Sequence, residues 1–278
     1  MLFRSPRDVL VLSGGASRGA VQVGMLDVLL SYGVRPAAYV GTSVGALNAV
    51  FLACHPGYAG VARLAEHWRG IRAQDIFPGR AWNRLGHVVR HPTSLYPTSG
   101  LERLVRRWTD VERLEDLPLP VRVTTTRIDG GHASYHATYH DRGALLDVLL
   151  ASTALPGIFE PARLHEPDGT VSMHVDGGIA DLVPVGGAAD LAPDRVFVLD
   201  ASVDAMRRKA RTPLDVLLAS LAVSMRVRPD VAFPPGVQVV HLTAPDLGVR
   251  MNDFSRTAEH LALGRAAAEA VLGERLVA

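Results

Sequence analysis

Residues 9–54 read VLVLSGGASRGAVQVGMLDVLLSYGVRPAAYVGTSVGALNAVFLAC, and this stretch decides the fold. Val9–Leu12 is a short unbroken apolar run, the pattern of a parallel strand buried on both faces. A glycine-rich turn follows, Ser13-Gly14-Gly15-Ala16-Ser17-Arg18-Gly19. Ala20–Leu30 then has the length and apolar content of a helix, with Gly33 as its stop. Ala38–Thr42 is the next strand, and Ser43 opens the turn into a second apolar helix, Val44–Cys54. Together these make a βαβ unit, whose two strands must run parallel.

Working outward, the same alternation continues. Arg80–Arg113, rich in Arg, His, Trp and Pro, reads as short helices and loops. Val121–Arg127, Ala133–Tyr139, Val171–Val175, Arg195–Leu199 and Val237–Leu242 read as strands. Leu145–Leu150, Pro213–Met225 and Ser255–Leu276 read as helices. Strands and helices in alternation predict an α/β fold with a mainly parallel central sheet flanked by helices. No internal repeat, low-complexity linker or composition shift marks a boundary, so residues 1–278 are expected to form a single domain.

Composition excludes several function classes. A net charge of +1 gives no general nucleic-acid footprint. Lys209 is the only lysine and lies in Arg-Arg-Lys-Ala, so there is no Walker-type phosphate loop. Cys54 is the only cysteine, which rules out an intrachain disulfide and a cysteine metal site. Cys54 and His55 are sequence neighbours that point different ways on a helix, so an inert thiol is expected. The eleven histidines contain no His-Glu-x-x-His spacing, and no metal is expected. Four apolar residues near the N-terminus are too few for a signal-peptide core. The longest apolar stretch, Val44–Cys54, falls well short of the roughly 20 residues that span a bilayer. A cytoplasmic protein with no transmembrane segment is expected, meeting membranes only peripherally. Two surface readings go with that: the run Arg207-Arg208-Lys209-Ala210-Arg211 as a contact for anionic headgroups, and Arg80–His91, with Trp82 and Leu85, as an interfacial lid.

The chemistry sits at the turns. Gly41-Thr42-Ser43-Val44-Gly45 is a G-x-S-x-G between a strand and a helix, the setting of a nucleophile elbow. Gly41 and Gly45 let the flanking segments approach closely, and the helix N-terminus favours negative charge beside Ser43. The glycine-rich turn ends one parallel strand and Ser43 ends the next, so both emerge at the same sheet edge. There the N–H groups of Gly14, Gly15 and Ala16 can form an oxyanion hole. As a dinucleotide fingerprint the turn is defective: the template falls on Gly14, Ala16 and Gly19, and the acidic residue expected after the second strand is replaced by Gly41-Thr42-Ser43.

Ser43 needs a base. An α/β-hydrolase would supply a histidine, with His241 or His260 as candidates, but that fold threads several strands before its elbow and only 42 residues precede Ser43 here. A lone carboxylate is the other option. Asp176, in Val175-Asp176-Gly177-Gly178, ends a strand and reaches the same edge if that strand runs parallel to the first two. Asp200, ending Arg195–Leu199, competes by the same logic. Burial would have to raise the basicity of either, because an ordinary Asp is a weak base.

Ser13–Ala20, Gly41–Gly45 and Asp176-Gly177-Gly178, with the block Ala151-Ser152-Thr153-Ala154-Leu155-Pro156-Gly157-Ile158-Phe159, resemble the ordered motifs of the patatin-like phospholipases over residues 9 to about 185. The resemblance implies a three-layer α/β sandwich, Ser43 as nucleophile, Asp176 as general base, and an oxyanion hole from Gly14, Gly15, Ala16, Ser17, Arg18 and Gly19. It also implies hydrolysis of acyl lipid esters without a cofactor. Ala16 stands where the family usually has a third glycine, and the residues after Asp-Gly-Gly depart from many bacterial members. Two other readings stay open: a His-dependent esterase or thioesterase, and a non-catalytic acyl-chain or nucleotide-binding module.

Overall fold

The computed structural model describes residues 6–79, 81–137, 144–166, 168–202, 213–225 and 231–277. β1 (Asp8–Leu12) lies between β2 (Pro36–Thr42) and β7 (Arg195–Asp200), and its side chains show why it is central. Val9 and Val11 pack on one face with Ala38, Val40, Val196 and Val198, beneath Val183 and Ala188. Leu10 and Leu12 join the larger core on the other face. That core is built with α1 (Gly19–Ser31), α2 (Val44–Cys54), α3 (Tyr58–Gly70), α6 (Ser99–Trp108), α7 (Leu145–Ser152) and α10 (Thr257–Val277). A strand that is apolar at every position is thus satisfied from both sides, giving three layers. The remaining helices are α4 (Ala73–Ile76), α5 (Ala81–Arg90), α8 (Gly178–Asp181) and α9 (Pro213–Ser224).

β3 (Val121–Arg127), β2, β1, β7 and β8 (Gln238–Thr243) run parallel in that spatial order. β4 (Ala133–Ala137) and β6 (Val171–Asp176) pair antiparallel with β3, and β5 (Ala162–His165) pairs with β6. The α/β class with a mainly parallel sheet therefore holds. The direction of β6 does not match the parallel course on which Asp176 was expected to reach the site. Register supplies the reason it arrives anyway. β2 covers residues 121–124 of β3, β4 covers 122–126, and β6 covers 125–127. A strand has two edges, and β4 overlaps both β2 and β6, so β6 follows β2 along the opposite edge. Thr42 pairs with Thr124 and Asp176 with Thr125, which brings the last residue of β6 against the last residue of β2.

Among the described residues, no helix is long and apolar enough to cross a membrane. α3 is the main element without a counterpart among the strands and helices that the sequence predicts.

Candidate active site

Ser43 is the single residue between β2 and α2, and its φ of 54° and ψ of −124° are the strained geometry of a sharp elbow. For a residue with a Cβ such a left-handed φ costs roughly 1–2 kcal/mol, which the packed βαβ unit must offset. The glycines make the elbow sterically feasible. A Cβ on Gly45 would lie 2.3 Å from the Leu12 carbonyl oxygen, and one on Gly41 would lie 2.6 Å from the Ala46 backbone.

Ser43 Oγ donates to Asp176 Oδ2 at 2.6 Å. The other carboxylate oxygen accepts the Gly178 N–H at 2.8 Å, which fixes the orientation of the group. Asp176 is only 3% exposed. Burial pushes its carboxyl up to about 6, opposed by the hydrogen bonds from Ser43 and Gly178. The weak-base objection to a lone aspartate is thereby answered: desolvation disfavours the anion and raises its proton affinity.

Ser152 explains how two strand ends meet here. Ser43 N–H donates to Ser152 Oγ at 2.9 Å, and Ser152 Oγ–H donates to the Thr124 carbonyl at 2.7 Å. The hydroxyl bridges β2 and β3 just where their ladder stops. Removing it leaves a donor and an acceptor unpaired, each worth about 1–3 kcal/mol. Ser152→Ala is therefore expected to lower stability by about 2–4 kcal/mol in urea unfolding, more than an ordinary truncation of a small side chain.

The glycine-rich turn is narrower as a donor set than its sequence implied. Gly14 N–H donates to Leu182 O at 2.9 Å and Ser17 N–H to Met251 O at 3.1 Å. Arg18 N–H donates to Gly15 O, and Gly19 N–H to Ala16 O. Those four engaged groups hold the turn in shape. Among the described residues, the Gly15 and Ala16 N–H groups meet no acceptor, and Ala16 shares a cavity wall with Ser43 and Asp176. Ala16 adopts φ 49°, a left-handed value that explains why glycine suits this position. The Arg18 side chain does not face the nucleophile. Its guanidinium reaches the carbonyls of Ala201, Ala244 and Pro245 and the Asp246 carboxylate, tying the turn to the ends of β7 and β8.

A buried polar chain beneath the turn has no motif to announce it. Trp68 Nε1–H donates to Asn48 Oδ1, Asn48 Nδ2–H to Gln22 Oε1 and Gly19 O, and Gln22 Nε2–H to Ser13 O. The signal was there in part. Gln22 and Asn48 are buried polar residues among apolar neighbours in their helices, where a buried amide demands partners.

The competing bases lie elsewhere. Asp200 is buried, and its Oδ1 accepts the Ser202 N–H. His241 is exposed on the outermost parallel strand, β8. His260 is buried on α10, where burial together with Arg18 and Arg256 lowers its pKa to about 4. None of the three lines the cavity at Ser43 or bonds to it among the described residues. Burial raises the Cys54 thiol to about 11, as befits an unreactive side chain. Arg207–Arg211 and Arg80 lie outside the described residues, as do the side chains of Trp82 and Leu85 in the lid reading. Of α5 the described side chains are residues 86–90, and none of these lines the cavity.

The cavity itself has a volume of about 90 Å³, and Ser43 and Asp176 form part of its wall. Away from the polar pair its wall is apolar except at Thr153: Leu47, Ile71, Ile76, Leu101, Leu104 and Ile158 with the rings of Trp68, Phe77, Trp108, Phe159 and Phe254.

Fold and site together define an α/β protein with a serine–aspartate pair at a strand-to-helix elbow. Residues 10–189 match the family model described as patatin-like phospholipase, and the chain belongs to that family. It is 30% identical over 193 residues to patatin-like phospholipase domain-containing protein 7 of Rattus norvegicus, covering 69% of this chain and 13% of that protein. It is 27% identical over 192 residues to lysophospholipase NTE1 of Chaetomium globosum, covering 69% of this chain and 12% of that one. The chain thus spans about an eighth of the length of these relatives. Among solved structures it is similar to VipD from Legionella pneumophila, with a TM-score of 0.48 and 14% identity over 96% of this chain and 67% of that one. Human GIVD cytosolic phospholipase A2 gives a TM-score of 0.46 and 12% identity, covering 98% and 60%.

Proposed function

We propose that this chain is a serine acyl hydrolase that cleaves carboxylic ester bonds of lipids, with Ser43 as nucleophile and Asp176 as general base. The observation that carries the reading is the 2.6 Å bond between Ser43 Oγ and Asp176 Oδ2 in the wall of a largely apolar cavity. Ser43 Oγ attacks the ester carbonyl carbon while its proton passes to Asp176 Oδ2. The carbonyl oxygen, now negative, is held by the Gly15 and Ala16 N–H groups and by the N-terminus of α2. As the intermediate collapses, the ester C–O bond breaks and the departing alcohol takes the proton from Asp176. Water then attacks the acyl-enzyme with Asp176 again as base, releasing the carboxylic acid and regenerating Ser43. The apolar cavity suits an acyl chain, and a lipid aggregate or membrane surface is where such a substrate is met. The name of the Chaetomium globosum relative makes a lysophospholipid a natural first substrate.

A fluorophosphonate probe tests the nucleophile, because only an activated hydroxyl attacks such a phosphorus centre quickly. Intact-mass analysis should find one added label and peptide mapping should put it on Ser43, with none on Ser43→Ala. The same pair of proteins, assayed on p-nitrophenyl esters and labelled lysophospholipid, should show turnover only where Ser43 is present. A label elsewhere, or none on a protein that hydrolyses esters, overturns the assignment.

A further inference from the structure

The segment between β8 and α10 reads Ala244-Pro-Asp-Leu-Gly-Val-Arg-Met-Asn-Asp-Phe-Ser-Arg256, and it lies beyond the residues that match the family model. It has no regular secondary structure, yet it is tied down along its length. At its start, the Ala244 and Pro245 carbonyls and the Asp246 carboxylate receive the Arg18 guanidinium. In its middle, Met251 O accepts the Ser17 N–H and Arg250 O accepts the Ser17 hydroxyl at 3.2 Å. At its end, Arg256 donates to Leu247 O, and the Thr257 hydroxyl donates to Phe254 O. Two consecutive residues of the oxyanion turn, Ser17 and Arg18, thus bond to this segment, with Arg18 also donating to Ala201 O at 2.9 Å.

The same segment reaches the cavity. Met251 and Phe254 line it together with Ala16 and Ser43. Phe254 stacks on Trp68 with ring centroids 6.2 Å apart and planes at 28°. Trp68 cannot retreat, because its Nε1–H is bonded to buried Asn48 and its other neighbour is the Trp108 ring at 5.9 Å. The aromatic wall is therefore rigid on the Trp68 side and completed by Phe254 from the strap.

We infer that Ala244–Arg256 is a strap that completes the site: Asp246, through Arg18, positions the oxyanion turn, and Met251 and Phe254 determine which acyl chains fit. The inference rests on the hydrolase reading above. A turn whose two free N–H groups must meet a developing oxyanion needs its backbone fixed, and Arg18 can fix it only while its own acceptors stay in place. An apolar wall that ends in a loop side chain tunes selectivity by the area it offers to a chain.

The experiment is steady-state kinetics on p-nitrophenyl acetate and dodecanoate, with thermal unfolding followed by circular dichroism. Phe254→Ala and Met251→Ala are expected to lower the dodecanoate-to-acetate ratio of kcat/KM, about tenfold for the larger side chain, mainly through KM for the long ester. Asp246→Ala is expected to lower kcat about tenfold on both esters without moving that ratio, and Asp246→Glu to recover part of the loss. A segment that merely covers the fold would lower Tm and leave the ratio and the kcat of the folded fraction untouched. If either cavity variant fails to fold, the other decides. The strap is overturned if the wild type hydrolyses both esters and the folded cavity variants keep its ratio. A wild type that neither hydrolyses them nor takes a fluorophosphonate label on Ser43 overturns the hydrolase reading, and this one with it.

Discussion

Asp176→Asn is expected to abolish most turnover while making the protein more stable. The amide cannot accept the serine proton, and loss of a general base costs about 10²–10⁴ in rate. The stability gain follows from the burial that makes the aspartate a base. Its carboxyl is held at about 6, above an ordinary value of 3.8. Keeping the ionised group buried at pH 7 therefore costs about 3 kcal/mol relative to the unfolded chain. Asparagine keeps an acceptor for the Gly178 N–H and removes the charge, so about 1–3 kcal/mol should return.

The pH dependence separates the two effects. With its folded pKa raised, Asp176 makes the native state bind more protons than the unfolded state between about pH 4 and 6. Stability from this group is thus largest below that window and is lost as pH rises through 6. Activity moves the opposite way, rising through pH 6 as the base ionises. His260 opposes Asp176 in the same window: its folded pKa is lowered to about 4, so acid destabilises the fold through it. Subtracting the Asp176→Asn unfolding curve from that of the wild type isolates the carboxyl. Replacing His241 or His260 by Ala should leave kcat within a small factor. A histidine variant as inactive as Asp176→Asn would favour the His-dependent alternative, and an inactive Asp200→Asn would mean that the base is Asp200.

The parts of this molecule that were legible in sequence are those governed by local pattern. Val9–Leu12, the glycine turn, Ala38–Thr42 and Val44–Cys54 carry their conformation in apolar runs and flanking glycines, and the elbow at Ser43 follows from them. α3 was also legible in principle, since Val61, Leu64, Ala65 and Trp68 recur at helical spacing and are all buried. The direction of β6 was not, because a short apolar run is the same read either way and only its register against β3 reveals it. Nor could composition say which N–H groups of the turn are free. Gly14 loses its donor to a carbonyl 168 residues away and Ser17 to one 234 away, and a backbone carbonyl has no sequence signature. The strap is hidden for the same reason: its hold on the turn runs largely through main-chain oxygens.

That narrowing sharpens the test of the oxyanion hole. With Gly14, Ser17, Arg18 and Gly19 engaged, the developing charge has Gly15 and Ala16 left to meet it. Proline substitution, the common way to delete an N–H, is unsuited to either position. Gly15 has φ 171° and Ala16 φ 49°, whereas proline holds φ near −65° and would rebuild the turn. Crowding is no cleaner, since a Cβ on Gly15 would lie 2.9 Å from the Ala201 carbonyl oxygen. An ester in place of the peptide N–H keeps the shape and removes the donor. The cost is a weaker acceptor in the preceding carbonyl, Gly15 O for position 16 and Gly14 O for position 15, each of which keeps its bond from Arg18 N–H or the Ser13 hydroxyl. Incorporating lactic acid at position 16, or glycolic acid at position 15, is therefore the decisive substitution. Loss of one oxyanion donor costs about 10²–10³ in kcat, and KM should change little because the contact strengthens chiefly in the transition state. Thermal unfolding should shift by only a few degrees, because neither N–H has a partner to lose among the described residues. If both ester-backbone proteins fold and keep near-normal kcat, the turn holds no catalytic donor, and stabilisation of the charge must come from the N-terminus of α2 alone.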